Sequence, residues 1–102
     1  MHPFVTNRPL YRYSGGIAAT GAAVVGTPGR VMAFLLFGGS ANTKVEFTND
    51  ADGTGTVVLG CNVLLAQSIF VDLSQLGGRD FSSKIYAKVT GTGGICYVWF
   101  EA

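Results

Sequence analysis

The stretch that decides the fold reads Ser83-Lys84-Ile85-Tyr86-Ala87-Lys88-Val89-Thr90. Apolar and polar side chains alternate along it, so that the apolar ones lie on one side and Lys84, Tyr86 and Lys88 lie on the other. This period of two is typical of a β-strand with one face on a core and the other in water. The same alternation runs through Thr43-Lys44-Val45-Glu46-Phe47-Thr48. Both stretches are therefore predicted to be strands of a half-buried sheet.

Two other runs, residues 30–37 and 95–100, are apolar on both sides. Such a run indicates a central strand that is covered on both faces, or one that rests with one face against a neighbouring subunit. In the second run Tyr97 and Trp99 alternate with other apolar side chains, so one of the two sets must face outward if the strand lines a single core. An outward Tyr and Trp pair is typical of a protein interface, and sugar-binding sandwiches use the same residues. The sequence favours the interface and leaves sugar binding as the alternative.

Glycine-rich turns, the first of them predicted at Gly15-Gly16, separate these runs at regular intervals. Residues 56–59 and 64–73 are predicted to add strands, and residues 61–68 are expected to form a loop entering the second of them. No stretch of ten residues has helical spacing. The pattern predicts an all-β protein, a single antiparallel β-sandwich of about six to eight short strands that is jelly-roll-like or immunoglobulin-like.

The composition is poor in charge for a soluble domain. The chain has 102 residues, of which 13% are charged and 48% are hydrophobic, whereas an average domain has roughly a quarter of its residues charged. Its apolar runs are far shorter than the roughly 20 residues of a membrane-spanning helix, and no signal peptide is expected. A chain of this kind must bury more surface than one small monomer can, which predicts a homo-oligomer and no membrane partner.

The few charges are unevenly distributed. Residues 1–44 carry four bases and no acids, whereas residues 45–102 carry six acids and three bases. This asymmetry can orient one subunit against another. The four bases are dispersed rather than clustered, so no nucleic-acid partner is predicted.

The first residues differ in kind from the rest. Pro3 and Pro9 lack backbone donors, so this segment cannot be an internal strand, yet its apolar side chains suit a partner surface better than a free tail. The predicted organisation is an extended N-terminal arm over residues 1–12 and a β-sandwich domain over residues 13–102, the alternative for the arm being an ordinary disordered terminus. The predicted partner-contact residues are Phe4, Arg8, Leu10, Tyr11, Arg12, Tyr97 and Trp99.

The sequence gives little support for a catalytic function. His2 is the only histidine, so no Ser-His-Asp or Cys-His relay can form within one subunit. The acids of Asp50-Ala51-Asp52-Gly53-Thr54-Gly55 fall in a turn, and Cys61 stands where a calcium loop would place its bidentate Glu. Cys61 and Cys96 are expected to be unpaired packing residues. The sequence thus predicts no enzyme, no cofactor and no metal site.

The order of turns and strands resembles that of small β-sandwich virion proteins of tailed bacteriophages. In that family a Gly-Pro-Gly-Arg-like corner leads into the first long strand, as Thr27-Pro28-Gly29-Arg30 does here. A strand ending in Asp then precedes a glycine-rich turn, as at Asn49-Asp50, and a late glycine-rich turn precedes a final apolar strand. The stretches that carry the resemblance are residues 13–18, 24–31, 38–39, 45–50 and 78–94.

The resemblance implies a structural role. Such proteins commonly act as capsid decoration (cement) proteins, often as trimers at the symmetry axes of the capsid, and some relatives belong to tails or fibres. It implies a homotrimer, contact with the major capsid protein or another virion protein, and a place in the virion after assembly in the host cytoplasm. A tail, neck or fibre component is the alternative within the class, and a carbohydrate-binding module is the alternative from another class.

Overall fold

The computed structural model describes residues 12–18 and 20–102, which form an all-β structure. These residues form no α-helix, and their one short helical turn is the 3-10 turn Ser74–Leu76. The predicted all-β class is therefore confirmed. The strands are β1 (Arg12–Ala18), β2 (Ala22–Val25), β3 (Gly29–Phe37), β4 (Thr43–Thr48), β5 (Val57–Val63), β6 (Ser68–Asp72), β7 (Arg79–Phe81), β8 (Ile85–Thr90) and β9 (Ile95–Glu101).

The strands form two antiparallel sheets. Sheet A has the order β1-β9-β3-β6, with the short β7 also paired to β3, and sheet B has the order β2-β8-β4-β5. Apart from β7, the strands pair from the outside of the sequence inward: β1 with β9, β2 with β8, β3 with β6 and β4 with β5. This nested pairing folded over into two sheets is the jelly-roll arrangement. Of the two sandwich types predicted, the topology is that of the jelly roll.

The core lies between the inner faces of the two sheets. Phe34 of β3 and Phe47 of β4 meet across it with ring centroids 5.1 Å apart, and Phe81 packs on Phe47 at 6.4 Å. Burying a large apolar side chain in this way stabilises the fold by about 1.5–3 kcal/mol. The other fully buried members of the core are Val31, Leu36, Val45, Ile85, Ala87, Val89, Cys96 and Val98.

Strands β4 and β8 confirm the alternation read from the sequence, whereas β5 is longer than predicted. It runs to Val63, so part of the predicted loop at residues 61–68 is strand, because Leu59, Cys61 and Val63 continue the inward alternation beyond Gly60. The turn that follows is closed by a hydrogen bond from the Gln67 N–H to the Leu64 carbonyl, 3.1 Å.

Two irregularities in sheet A set the direction of its outward side chains. In β1 three residue steps from Tyr13 to Gly16 oppose two steps on β9, so Gly15, with φ of 74°, forms a bulge instead of the turn that the sequence indicated. The Ser14 hydroxyl accepts the Val98 N–H at 3.0 Å within this bulge. In β3 a similar shift at Met32 points Val31 inward and Ala33 outward.

The described part of the chain contains no helix that is both long enough and apolar enough to cross a membrane.

Candidate functional site

The predicted contact residues on β9 face outward. Cys96, Val98 and Phe100 are buried in the core, whereas Tyr97 and Trp99 lie half-buried on the outer side of sheet A. Arg12 is exposed at the start of the edge strand β1. The other predicted contacts, Phe4, Arg8, Leu10 and Tyr11, lie outside the described residues.

Tyr97 and Trp99 belong to a connected cluster that spans sheet A. The Tyr13 ring centroid lies 6.1 Å from that of Tyr97 and 5.3 Å from that of Trp99. Phe37 meets Tyr97 edge-on at 5.9 Å, and Phe70 meets Trp99 at 6.0 Å. These side chains come from β1, β9, β3 and β6, which together make up the full width of the sheet. We call these five outward side chains the aromatic face.

Small residues make room for the rings. Gly16 is opposite Tyr97 on β1, and a methyl group there would lie 3.3 Å from the Tyr97 ring. Ala33 is opposite Trp99 on β3 and is only 7% exposed although it faces outward. Because its own side chain is small, Trp99 and Phe70 can approach each other over the intervening strand. The cluster is thus built by backbone placement as well as by the aromatic residues themselves.

Much of the aromatic face is open to solvent. Tyr13 is 55% exposed, Phe70 56% and Phe37 40%. An aromatic side chain has roughly 150–250 Å² of surface, so the five rings expose about 400 Å² together. That is comparable to the largest apolar patch on a typical monomer, which is often a functional surface.

The charged groups of this surface lie at one end. The Arg30 Nε donates to Asp80 Oδ1 at 2.8 Å, and its Nη1 lies 3.8 Å from Glu101 Oε1. The Asp80 side chain is 80% exposed. Asp72, opposite Ala33 on β6, accepts the Ser74 N–H at 2.9 Å, and hydrogen bonds from Ser74 lower the pKa of that carboxyl. Charged groups therefore border the aromatic face at this end and at its β6 edge.

The outward face of sheet B has the opposite character. It presents Lys44, Glu46 and Lys88, and the Lys44 Nζ lies 3.8 Å from Glu46 Oε1. An open depression of about 480 Å³ lies at one end of this sheet. One of its polar groups is engaged locally, since Asn42 Oδ1 accepts the Leu65 N–H at 3.0 Å. The residues lining it are Asn42, Thr43, Lys44, Asn62, Val63, Leu64 and Thr90.

The buried Cys96 is not a reactive thiol. Cys96 is buried and Cys61 half-buried, and both are free thiols. Burial raises the pKa of the Cys96 thiol to about 12, with nearby Cys61 adding to the effect. The thiolate is the nucleophilic form, so a thiol with this pKa is inert at neutral pH.

The acidic side chains between β4 and β5 accept hydrogen bonds within the turn in which they lie. Asp50 Oδ1 accepts the Gly53 N–H at 3.1 Å and the Thr48 hydroxyl, and the latter bond lowers the pKa of this carboxyl. Asp52 Oδ1 accepts the Thr54 hydroxyl at 2.7 Å. Among the described residues, no cluster of three or more His, Cys, Asp or Glu side chains is arranged to hold a metal ion.

Sequence reasoning missed Tyr13, Phe37 and Phe70 as members of the site. Their signal was present, because Phe37 continues the outward alternation of the doubly apolar β3, but the pairing of β3 with β6 and β9 was needed to bring them to Trp99. Comparisons with protein-family models, with curated proteins and with solved structures gave no match.

Proposed function

We propose that this protein is a structural subunit that binds other proteins through its aromatic face, and specifically that it is a decoration (cement) protein of a tailed-phage capsid. The observation that carries the proposal is the continuous outward cluster of five aromatic side chains across sheet A. Its role would be to stabilise an assembly through contacts between subunits, as a homotrimer in contact with the major capsid protein or another virion protein.

The chemistry of the aromatic face supports protein binding. Interface centres are depleted in charge and enriched in Tyr, Trp and Phe, and their rims are polar. Here the charged pair Arg30 and Asp80 lies at the rim and the rings form the centre. About 400 Å² of aromatic surface is half of the roughly 800 Å² that each partner buries in a standard interface. Apolar area of this kind contributes about 25 cal/mol per Å² when it is removed from water.

The assignment to a virion rests on two further arguments. Jelly rolls are common in viral capsid domains, although the same fold serves lectins and cupins, so this argument is one of analogy. The sequence resemblance to phage virion proteins is the other. A tail, neck or fibre location fits the same aromatic face and is the alternative within this class.

Carbohydrate binding is the second candidate, and the exposed Tyr and Trp rings on a sheet are what favours it. A sugar site combines a flat aromatic platform with several hydrogen-bonding groups. The rings here are mostly inclined: Phe70 makes 73° with Trp99, and Phe37 makes 86° with Tyr97. At the centre of the face the aromatic side chains offer only tyrosine hydroxyls and the Trp99 indole N–H for hydrogen bonding. Protein binding is therefore the better supported function.

Light scattering on the purified chain tests the assembly role. We expect a homotrimer, three times the 10.7 kDa of one chain, at micromolar concentration. A cryo-electron microscopy map of the virus whose genome carries this sequence tests the location, with the expected density on the outer surface of the head. Density in the tail would support the alternative location. A soluble monomer that is absent from the particle and positive on a glycan array would overturn the proposal in favour of sugar binding.

A further inference from the structure

The aromatic face lies next to Arg12, the residue with which strand β1 begins. Strand β1 starts at Arg12, opposite Phe100 near the end of β9, and the next residue, Tyr13, is already part of the aromatic face. The chain outside the described region therefore joins the sandwich at the border of this surface. Eleven residues precede Arg12, and a chain of this length spans up to about 36 Å when extended.

We infer that the aromatic face binds the N-terminal segment, residues 1–11, of a second copy of this chain. The inference rests on the proposed function and names the partner of that same site. Each subunit would then offer its aromatic face to one neighbour and its N-terminal segment to another, a head-to-tail contact that can close into a ring.

The chemistry of the segment matches that of the surface. The segment reads Met1-His2-Pro3-Phe4-Val5-Thr6-Asn7-Arg8-Pro9-Leu10-Tyr11 and contains no acid. Pro-containing extended segments bind aromatic-lined surfaces with a small loss of conformational entropy. Its apolar side chains suit the centre of the aromatic face, and its arginine suits the exposed rings of that face, because guanidinium groups stack on aromatic rings.

Two features favour a neighbouring copy over the chain's own face. Strand β1 runs antiparallel to β9 and begins opposite Phe100, so a segment preceding Arg12 would have to reverse direction to reach the face of its own sheet. The sequence of the segment disfavours such a reversal, because it has no glycine and a residue that precedes a proline favours an extended conformation.

The test uses the full chain with paired substitutions in the segment. Phe4→Asp together with Leu10→Asp should weaken self-association at least about 100-fold, because two apolar anchors are replaced by charges. The matched control, Thr6→Asp together with Asn7→Asp, makes a similar change of charge in the same segment and should leave the trimer intact. The readout is the dissociation constant from sedimentation or light scattering.

A mixing experiment then distinguishes this contact from others. Phe70→Asp in the aromatic face should also give monomers, and Phe37→Asp serves as a second variant if the first alters the circular dichroism spectrum. The Phe4→Asp/Leu10→Asp chain keeps an intact face and Phe70→Asp keeps an intact segment, so an equimolar mixture should form a one-to-one complex. A contact between two aromatic faces, or binding of the segment to its own face, gives no complex.

The outcomes separate the inference from the proposed function. If Phe70→Asp dissociates the oligomer and the segment variant does not, the face binds a partner but the inference is wrong. If the mixture yields no complex, the inference is also wrong. If the wild-type chain is a monomer, both the inference and the homo-oligomeric part of the proposed function fail.

Discussion

The two outward faces of this sandwich share one architecture and differ in chemistry. Sheet B presents Lys44, Glu46, Lys88 and the single aromatic residue Tyr86, whereas sheet A presents the connected rings of Tyr97 and Trp99. Each sheet already has an inner apolar face that fills the core, and sheet B demonstrates that the outer face can be polar in the same fold. The aromatic residues of sheet A are therefore not required by the jelly roll. This difference is the reason why we propose sheet A as the side that binds a partner.

The aromatic face also contributes to the stability of sheet A. Tyr13 belongs to the edge strand β1, and its ring stacks on Tyr97 and lies beside Trp99. Aromatic pairs of this kind are worth about 0.5–1.5 kcal/mol beyond the area that they bury. The aromatic face therefore helps to hold β1 against β9, and its substitutions have a modest effect on folding in addition to their effect on binding.

The largest expected loss of stability is that of a substitution in the core, which lies between the two sheets. Phe47→Ala should lower the free energy of unfolding by about 3–5 kcal/mol, because Phe47 is fully buried and packs on Phe34 and Phe81. Urea denaturation followed by circular dichroism measures it. A loss of less than about 1 kcal/mol would mean that the packing of the two sheets differs from that described.

A matched pair of aromatic substitutions tests the comparison directly. Trp99 and Tyr86 are both half-buried, the first on the outer face of sheet A and the second on that of sheet B. Each change to Ala should lower the free energy of unfolding by about 1–2 kcal/mol, less than in the core because part of the side chain is already in water. Trp99→Ala should also abolish self-association, while Tyr86→Ala should leave it unchanged.

The readouts for this pair are unfolding in urea and light scattering under native conditions. Tyr86 also donates a hydrogen bond from its hydroxyl to the Thr20 carbonyl at 3.3 Å, so Tyr86→Phe separates the loss of this bond from the loss of the ring. Equal loss of association in Trp99→Ala and Tyr86→Ala would remove the functional distinction between the two faces.

The sequence allowed the class of fold to be predicted because its strongest signals are local. Alternation identified β4 and β8, and the doubly apolar runs identified β3 and β9 as strands with two apolar sides. Strands β1, β2 and β7 escaped prediction. Gly15 and Gly16 in the first indicated a turn, the alanines of the second carry little pattern, and the third has only three residues. In the structure, the φ of 74° at Gly15 produces a bulge within a strand.

The candidate site was only half predictable for a different reason. Tyr97 and Trp99 were identified by alternation within a single strand. Phe70 joins Trp99 only because β6 and β9 flank β3, and that order depends on long-range pairing. The Met32 bulge that turns Ala33 outward leaves no mark in a hydrophobic pattern, because Met, Ala and Val are all apolar. The position of a bulge is set by tertiary packing.

The smallest expected effect concerns the turn at the end of sheet B, where polar contacts replace apolar ones. The Thr48 hydroxyl donates to Asp50 and holds the pKa of that carboxyl below its ordinary value of 3.8. As the pH falls below about 4, the unfolded chain takes up this proton before the folded chain does, so stability present at neutral pH is lost as the pH falls through the lower folded pKa. Asp50→Asn cannot titrate, and its thermal midpoint should therefore fall less than that of the wild type between pH 6 and pH 3. Thr48→Val removes the hydrogen bond and should reduce the same pH dependence. If both variants lose as much stability as the wild type over this range, the ionised Asp50 carboxylate does not stabilise the turn. The turn then depends on the backbone hydrogen bonds of sheet B alone.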